Sequence, residues 1–468
     1  MNSEKLQEKI RFNFPFQATN EQNDIITDIS EFITTIGNRS IYVLKGYAGT
    51  GKTTLVSSLV KSLPVVAKRH VLMAPTGRAA KVLAKYSKRA ASTIHRKIYW
   101  IRTNKSGNTF ITRKENTHTN TIFFVDEASM ISENNEKAFG NRSLLDDLIE
   151  YVYEGLDCKL ILIGDTAQLP PVHLEVSPAL NEEILERKSN KQIISRELTE
   201  VVRQKENSLI LNNATLIREK IAKEDYTFPS IITNNEVIRI NTGEDLQDAL
   251  ESAYSNNGIN NTSVICRSNK RANLYNQQIR AKIRWQENEI SSGDMLMVVR
   301  NNYFWLDESS KAGFIANGDI IMVTKINETI QRYGFRFARA SVEMVDYPKE
   351  KNLDLLLLLD TLTSESPTIS YDQYQKLYKE ISEDYKGQQE INKKIKEDEF
   401  FNALQIKFAY AITCHKSQGG QWENIFVDMG YFTDQMLDKA YLRWLYTAIT
   451  RATKKLYLIN FNNNFFEI

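Results

Sequence analysis

The feature that most constrains this chain is a glycine-rich turn set between a short apolar run and a stretch of helix-forming residues. The apolar run covers Ile41 to Leu44, and the turn reads GYAGTGKT from Gly46 to Thr53. The glycines let backbone N–H groups curl around phosphate groups, and the helix that follows presents its positive N-terminal end to the same charges. The order of strand, turn and helix therefore predicts a phosphate-binding loop in an α/β sheet, with ATP or GTP as its ligand.

This loop also suggests roles for individual residues. Lys52 is expected to neutralise the β- and γ-phosphates, and Thr53 to bind magnesium. The residues of the loop that we expect to bind the nucleotide are Gly46, Gly49, Thr50, Gly51, Lys52, Thr53 and Thr54.

An acidic pair follows a second apolar run, Ile122 to Val125. Ligands of α/β sheets bind at the carboxyl ends of the strands, so we expect Asp126 to bind magnesium and Glu127 to polarise an attacking water. A GTPase would need an Asn-Lys-x-Asp motif for the base, and the nearest text, Asn269 to Ala272, lacks the aspartate. ATP is therefore favoured over GTP.

Length and patterning predict more than one domain, because 468 residues exceed what a single core usually organises. Short apolar runs alternate with helical stretches, which is typical of parallel, doubly wound sheets. One set of runs is Ile41 to Leu44, Val71 to Ala74, Ile122 to Val125 and Leu160 to Ile163; the other is Val237 to Ile240, Val264 to Cys266, Ile425 to Val427 and Leu456 to Ile459.

Two intervals interrupt this alternation of apolar runs and helical stretches. Residues 96–120 contain two aromatic and β-branched runs around a Lys-Ser-Gly-Asn turn, which predicts an inserted β-hairpin. Residues 291–400 begin with short strand-like pieces and continue as a charged helical stretch from Tyr371 to about Phe400. A small barrel with a helical arm fits this pattern, although a solvated helix pair explains the charged stretch equally well.

Composition excludes several classes of protein. Lys and Arg total 60 against 58 Asp and Glu, so any basic surface for nucleic acid must be local. The cysteines, at 158, 266 and 414, have no paired spacing, which argues against disulfides and a zinc site. The charged N-terminus and the lack of an apolar run near ~20 residues predict a soluble, cytoplasmic protein without a membrane segment.

Five motifs occur in an order that resembles one known family. They are GYAGTGKT at 46, DEASM at 126, GDTAQLPPV at 164, CHKSQGG at 414 and YTAITRA at 446. The set is similar to that of superfamily-one helicases, in the RecD-like and Dda-like branch. Together the motifs frame most of the chain.

The resemblance implies an α/β fold with two RecA-like motor domains. The first would comprise residues 1–95 and 121–195, with a wedge hairpin inserted at 96–120. The second would comprise residues 196–290 and 401–468, with an SH3-like barrel and a helical arm inserted at 291–400.

The resemblance also implies further site residues. Gln22 would recognise adenine, and Arg203 and Arg451 would stabilise charge on the transferring phosphoryl group. With them, the implied catalytic residues are Lys52, Asp126, Glu127, Gln168, Arg203 and Arg451, and the implied magnesium ligands are Thr53 and Asp126.

The residues implied to contact nucleic acid are Thr76, Arg78, Thr93, His95, Trp100, His415 and Ser417. Alternatives stay open for several of them. Thr76 and Thr93 are also typical helix caps. Trp100 would be a strand-separating wedge, or one member of a cross-strand pair that holds its hairpin together.

The implied function is an ATP-dependent DNA helicase that moves 5′-to-3′ on single-stranded DNA and unwinds duplexes, using ATP and Mg²⁺. DNA is favoured over RNA because Met130 stands where RNA-directed relatives carry glutamine. Single-stranded and tailed duplex DNA, together with replication or repair proteins, would be its partners. Its minimal active form would be a monomer in a bacterial or phage-infected cell. The alternatives are a translocase that strips proteins from DNA, a motor subunit, and a nucleotide-gated clamp.

Overall fold

We describe the protein from a computed structural model. It describes residues 2–37, 40–103, 109–133, 143–201, 208–306, 310, 314–347, 350–388 and 390–466. In these ranges the strands form two parallel sheets, a closed barrel and a two-stranded hairpin. None of the described helices combines the length and the apolarity that crossing a membrane requires.

The first α/β domain is built on a parallel sheet of six strands. The strands of this part of the chain are β1 (Ile41–Gly46), β2 (Arg69–Ala74), β3 (Ala91–Thr93), β4 (Tyr99–Thr103), β5 (Thr109–Arg113), β6 (Thr121–Val125), β7 (Lys159–Gly164) and β8 (Ile193–Leu198). The sheet order is β3-β2-β6-β7-β1-β8, while β4 and β5 pair as a separate antiparallel hairpin. The predicted parallel α/β fold is confirmed.

Helices cover both faces of this sheet. They are α1 (Asn2–Asn13), α2 (Asn20–Thr34), α3 (Lys52–Ser62), α4 (Gly77–Ser87), α5 (Ile94–Ile98), α6 (Leu144–Glu154) and α7 (Glu182–Ser189). In β1, Tyr42 and Leu44 enter the core on one face, whereas Ile41 and Val43 enter the core on the other. Burial on both faces explains why this strand is a continuous apolar run.

The second half of the chain contains a parallel sheet and the barrel. Its strands are β9 (Val237–Ile240), β10 (Thr262–Cys266), β11 (Met295–Val298), β12 (Ile320–Arg332), β13 (Phe335–Met344), β14 (Leu353–Leu358), β15 (Leu404–Phe408), β16 (Ala411–Thr413), β17 (Trp422–Asp428) and β18 (Ala452–Ile459). The sheet of the second α/β domain has the order β16-β10-β17-β18-β9, and β11 to β15 close the barrel.

The helices of this half are α8 (Leu209–Ala222), α9 (Gly243–Asn257), α10 (Asn269–Gln278), α11 (Asp360–Thr363), α12 (Tyr371–Asp384), α13 (Ile391–Glu397), α14 (Cys414–Ser417) and α15 (Lys439–Ile449). A single π-helical turn, Ile279–Ile283, continues α10.

Two predicted domain boundaries differ from the structure. The boundary at 400 is too early, because β15 pairs with both β11 and β14 and is the strand that closes the barrel. The boundary at 195 cuts β8, whose residues through Leu198 pair with β1. Strand pairing over long sequence separations sets both limits, and no local signal marks them.

The helical arm, α12 and α13, packs onto the barrel. Leu377, Ile381 and Ile395 are buried in one cluster with Phe337 and Leu358 of barrel strands. The charged stretch is therefore an amphipathic helix pair with one face on the barrel, and the interpretation as a solvated pair is wrong.

Candidate functional site

The phosphate loop joins β1 to α3 at the carboxyl edge of the first sheet. Gly49 and Gly51 have φ angles of +83° and +87°, a backbone conformation that residues with a side chain rarely adopt. Lys52 begins α3, and no side chain caps the helix N-terminus. Its backbone N–H groups are therefore available to an anion, as a phosphate site requires.

The Lys52 side chain folds back over this loop. Its Nζ donates to the carbonyl oxygens of Gly46 at 2.6 Å and of Tyr47 at 2.7 Å. Thr53 and Thr54 follow in the first turn of α3. The ammonium group is thus held beside the site predicted for phosphate and has to exchange these carbonyls for a phosphate ligand.

Gln22 lies against the phosphate loop, but its amide has other partners. The amide oxygen accepts from the Thr19 N–H at 3.1 Å and closes a capping box at the start of α2. The amide nitrogen donates to the Thr50 carbonyl at 3.0 Å. Gln22 is buried and fixes the loop to α2; its contact with adenine stays a prediction.

Asp126 and Glu127 follow β6 at the same edge of the sheet. Asp126 Oδ1 accepts the Glu127 N–H at 2.9 Å, and Glu127 has a left-handed backbone with φ +54°. Burial raises the pKa of Asp126. Burial, together with the Asp126 charge, raises the pKa of Glu127 to about 7 against the opposing charges of Arg451 and Lys52. The structure thus brings four of the predicted catalytic residues into one electrostatic environment.

Arg451 reaches this environment from the second α/β domain. It follows α15, is 4% exposed, and its Nε donates to the Thr447 carbonyl at 3.0 Å. Its other nitrogens donate to the Gly420 carbonyl at 3.4 Å and to Thr450 Oγ1 at 3.2 Å. The predicted partner arginine, Arg203, lies outside the described residues.

Gln168 is buried beside the contact between the two α/β domains, and its amide oxygen has no hydrogen-bond partner among the described residues. The next residue makes the contact. The Leu169 N–H donates to Thr447 Oγ1 at 2.8 Å, and the Leu169 carbonyl accepts from Gln418 Nε2 at 2.6 Å. Sequence reasoning did not single out Thr447 or Gln418, although both lie inside recognised motifs.

Tyr446 and Asp165 form a second contact that sequence reasoning missed. The Tyr446 hydroxyl donates to Asp165 Oδ2 at 2.8 Å and accepts the Ala48 N–H of the phosphate loop at 2.8 Å. Asp165 Oδ1 accepts the Ala167 N–H at 2.9 Å. Both side chains are 1% exposed.

The predicted nucleic-acid residues Thr76 and Thr93 are helix caps. Their Oγ1 atoms accept the N–H groups of Ala79 and Arg96, each at 3.2 Å, at the starts of α4 and α5. Burial lowers the pKa of His95 to about 4, which keeps this ring neutral near pH 7. Contacts of these three residues with nucleic acid stay predictions.

Thr76, Thr93 and His95 nevertheless line one wall of a cleft of about 830 Å³. The barrel and the arm form the opposite wall. That wall includes Arg300, Asn301, Asn302, Tyr303, Phe304, Tyr374, Lys396, Glu397, Phe401 and Asn402. Two basic residues, one acidic residue, and amide and aromatic side chains therefore line the cleft together with the predicted nucleic-acid residues.

Two predicted contacts differ in this structure. Ser417 is buried and its hydroxyl donates to the Cys414 carbonyl at 2.7 Å, because the short helix α14 turns the side chain inward. The Arg78 guanidinium lies 4.0 Å from the ring centre of Trp422 and joins α4 to the second α/β domain. Contacts of both residues with nucleic acid stay predictions.

The two remaining predicted residues are accessible. His415 is exposed on α14. Trp100, at the base of the hairpin, is 53% exposed, and the Nζ of Lys114 lies 4.4 Å from its ring centre. Both therefore remain candidates for contact with nucleic acid.

Two protein families match the sequence. The AAA domain family matches residues 18–229, which contain the phosphate loop and the acidic pair. The UvrD-like helicase C-terminal domain matches residues 408–459, which contain Gln418, Tyr446 and Arg451. Each match thus covers one side of the site between the two α/β domains.

Individual proteins are similar over shorter or longer parts of the chain. An uncharacterized protein of Methanocaldococcus jannaschii is 26% identical over 97% of this chain and 40% of its own length. The ATP-dependent DNA helicase Dda of enterobacteria phage T4 is 26% identical over 54% of this chain and 55% of its own length. The chain thus spans about two fifths and about half of these relatives. A crystal structure of the Pif1 helicase from Bacteroides with ADP-AlF3 and single-stranded DNA aligns with 97% of this chain and 95% of its own, at 16% identity and a TM-score of 0.47.

Proposed function

We propose that this chain is a superfamily-one helicase of the RecD-like and Dda-like branch, an ATP-dependent DNA helicase that moves 5′-to-3′ along single-stranded DNA. One observation carries the proposal. Lys52 and Glu127 of the first α/β domain share one electrostatic environment with Arg451 of the second. An ATP bound there would be attracted by both domains, so its hydrolysis would change how strongly they hold together.

The residues around this site can divide the chemistry of hydrolysis between them. The α3 N-terminus and Lys52 would bind the phosphates. Glu127, once deprotonated, would orient and deprotonate the attacking water, and Arg451 would stabilise the charge that develops on the phosphoryl group. Gln168 would sense that group, since its buried amide has unused hydrogen-bonding capacity.

Magnesium is part of the proposal. A phosphate-loop magnesium needs few protein ligands, because it keeps waters and binds phosphate oxygens. Thr53 and Asp126 fit this requirement. Thr53 lies in the first turn of α3. Among the described residues, Asp126 accepts one backbone N–H through Oδ1, which leaves Oδ2 for the ion. When bound, the ion would neutralise phosphate charge as it develops.

Single-stranded DNA would follow the cleft between the first α/β domain and the barrel with its arm. Arg300 and Lys396 offer positive charge to a backbone, and Phe304 offers an aromatic face to bases. The Arg300 guanidinium lies 4.9 Å from the ring centre of Tyr374, which positions it in the cleft. Contacts of this kind carry affinity without sequence preference. The arm, whose role the sequence left open, would then be one wall of the DNA path.

We place this enzyme in the cytoplasm of a bacterial or phage-infected cell, as a monomer. A monomer is supported because a single chain supplies both sides of the nucleotide site, with Glu127 in one α/β domain and Arg451 in the other. Replication or repair proteins would be its partners.

The experiment that tests the proposed function is ATP hydrolysis measured with and without single-stranded DNA. We expect DNA to stimulate turnover, and Lys52→Ala to lower it by at least about 10²-fold because a charge on the phosphates is lost. Lys52→Ala should keep its thermal unfolding midpoint and part of its DNA affinity. A wild-type chain whose turnover ignores DNA would contradict the proposal.

A matched pair of variants tests the DNA path. Tyr374 lines the cleft, whereas Tyr371, three residues earlier on α12, is 76% exposed and lies away from it. We expect Tyr374→Ala to weaken single-stranded DNA binding by about 1 kcal/mol, because it removes the ring that positions the Arg300 guanidinium in the cleft. Tyr371→Ala should leave the dissociation constant unchanged. Equal effects of the two variants would remove the arm from the DNA path.

A further inference from the structure

The peptide group between Tyr47 and Ala48 is held from both α/β domains. Its carbonyl accepts from Lys52 Nζ at 2.7 Å and from Thr50 Oγ1 at 2.9 Å, both within the phosphate loop. Its N–H donates to the Tyr446 hydroxyl of α15 at 2.8 Å. A ligand that draws Lys52 away therefore acts on the same peptide group that Tyr446 holds.

The second hydrogen bond of the Tyr446 hydroxyl joins it to residues outside the phosphate loop. Its hydroxyl donates to Asp165, whose other oxygen accepts the Ala167 N–H. Two residues further on, Leu169 is bonded through both backbone groups, to Thr447 Oγ1 and to Gln418 Nε2. Gln418 belongs to the segment 414–420 that bears His415 at the surface.

We propose that Tyr446 is a positioning residue, and that its hydroxyl couples the phosphate loop to segment 414–420 and thus links nucleotide binding to DNA binding. The inference rests on the proposed function, since it requires both ligands. The interaction would act through the Tyr47–Ala48 peptide and Asp165, because both hydrogen bonds of the hydroxyl go to these groups.

Tyrosine suits this role chemically because its hydroxyl donates and accepts at once. Burial raises the pKa of Tyr446 far above its usual value, so the hydroxyl keeps its proton at any working pH. Phenylalanine would fill the same space but would leave the Ala48 N–H and one Asp165 oxygen without these bonds. Buried groups left in this way are costly, which makes the two-domain arrangement sensitive to a single oxygen atom.

The same helix offers a matched control. The Tyr441 hydroxyl is also buried but has no hydrogen-bond partner among the described residues. Tyr441→Phe therefore removes a hydroxyl from α15 without breaking a bond. Tyr446→Phe removes a hydroxyl that makes two.

The test measures coupling, defined as the ratio of the dissociation constants for single-stranded DNA with and without a non-hydrolysable ATP analogue. We expect Tyr446→Phe to move this ratio toward one by about tenfold, the effect of losing a hydrogen bond to a charged group. Tyr441→Phe should leave the ratio at the wild-type value. A residue with a merely structural role would shift both dissociation constants together and leave the ratio unchanged, which would overturn the inference.

A second variant keeps the proposal testable if Tyr446→Phe folds poorly. Asp165→Asn removes the charge of the same hydrogen bond, and the double variant completes a thermodynamic cycle with Tyr446→Phe. We expect the effects on the coupling ratio to be non-additive, whereas additive effects would overturn the inference. A wild-type chain with no coupling and no DNA-stimulated hydrolysis would instead refute the proposed function.

Discussion

Glu127 combines an unusual backbone conformation, a raised pKa and a proposed catalytic role. Its left-handed backbone is of a kind that costs a residue with a side chain about 1–3 kcal/mol and that concentrates at functional sites. Its carboxylate lies in the field of Asp126, Lys52 and Arg451. Its protonation should therefore be visible in the rate of hydrolysis.

We predict that kcat/KM for ATP hydrolysis rises with pH up to about 7 and is level above it. Burial raises the pKa of Glu127 to about 7, and the water-activating form is the deprotonated one, which is lost as pH falls through that value. The measurement is kcat/KM between about pH 5 and about pH 9, with the acid limb assigned to the Asp126–Glu127 pair as a unit.

Glu127→Gln is the control for this profile. It should bind ATP but turn over at least about 10²-fold more slowly, because a general base is lost. An acid limb near 4.5, the ordinary pKa of a glutamate, would show that Glu127 is not held as the structure indicates.

At this scale the sequence identifies residues better than it identifies their contacts. Lys52, Asp126 and Glu127 stand in local motifs, so their place beside one another follows from strand order. Tyr446 and Asp165 are 281 residues apart, and only the packing of the two α/β domains joins them. Ser417 was assigned to nucleic acid, but the short helix α14 buries it.

For the β4–β5 hairpin, the sequence leaves two roles open: a strand-separating wedge and a hairpin held together by cross-strand pairs. Trp100 is exposed at its base, with Thr112 opposite it on the neighbouring strand. If the hairpin is a wedge, Trp100→Ala should lower the unwinding rate by about tenfold and change DNA-stimulated hydrolysis by less than about twofold, since stacking on a base acts only at the fork. The two rates are measured on one tailed duplex. Equal losses in both would assign Trp100 to cross-strand packing.

The contact between the barrel and α4 allows a paired test. Gly77 and Gly243 each follow a threonine cap at the first position of a helix. A Cβ atom on Gly77 would lie 2.6 Å from Asp319 Oδ1 of the barrel, whereas one on Gly243 would meet nothing within 4 Å.

We therefore predict that Gly243→Ala is neutral or stabilises the protein by up to about 1 kcal/mol, because it restricts the unfolded chain. Gly77→Ala should instead push the barrel away from α4 and lower the thermal unfolding midpoint. Faster hydrogen exchange at residues 345–347, which contact α4 through the Lys81–Asp346 ion pair, would report the loosening. The same behaviour in both variants would mean that the contact is not tight.

Element positions follow from the sequence more reliably than element partners do. The apolar runs marked the buried strands of both sheets because both faces of these strands are covered. The barrel limit at 400 was wrong because β15 belongs to the barrel only through its pairing with β11 and β14. For the arm, the sequence left packing on a barrel and a solvated helix pair open, because its periodic apolar residues are diluted by surface charges.

At the scale of the whole molecule, the two α/β domains would share one nucleotide site. The motifs predicted both domains and the residues at their edges. They did not predict the hydrogen bonds that already join the domains through Tyr446, Thr447 and Gln418. These bonds form where Ala167 and Leu169 of the first domain are buried in the same apolar cluster as the second domain, a packing that no local motif marks. In the proposed function, a change at the nucleotide would move the surfaces proposed to contact DNA relative to each other.

The measurement that tests this account most directly is ATP-dependent strand separation on two matched duplexes, one with a 5′ and one with a 3′ single-stranded tail. Opening only the 5′-tailed duplex, with Lys52→Ala inactive on both, is the result that the account predicts. Opening only the 3′-tailed duplex would contradict the direction. DNA-stimulated hydrolysis without opening of either duplex would contradict the helicase assignment and favour a translocase.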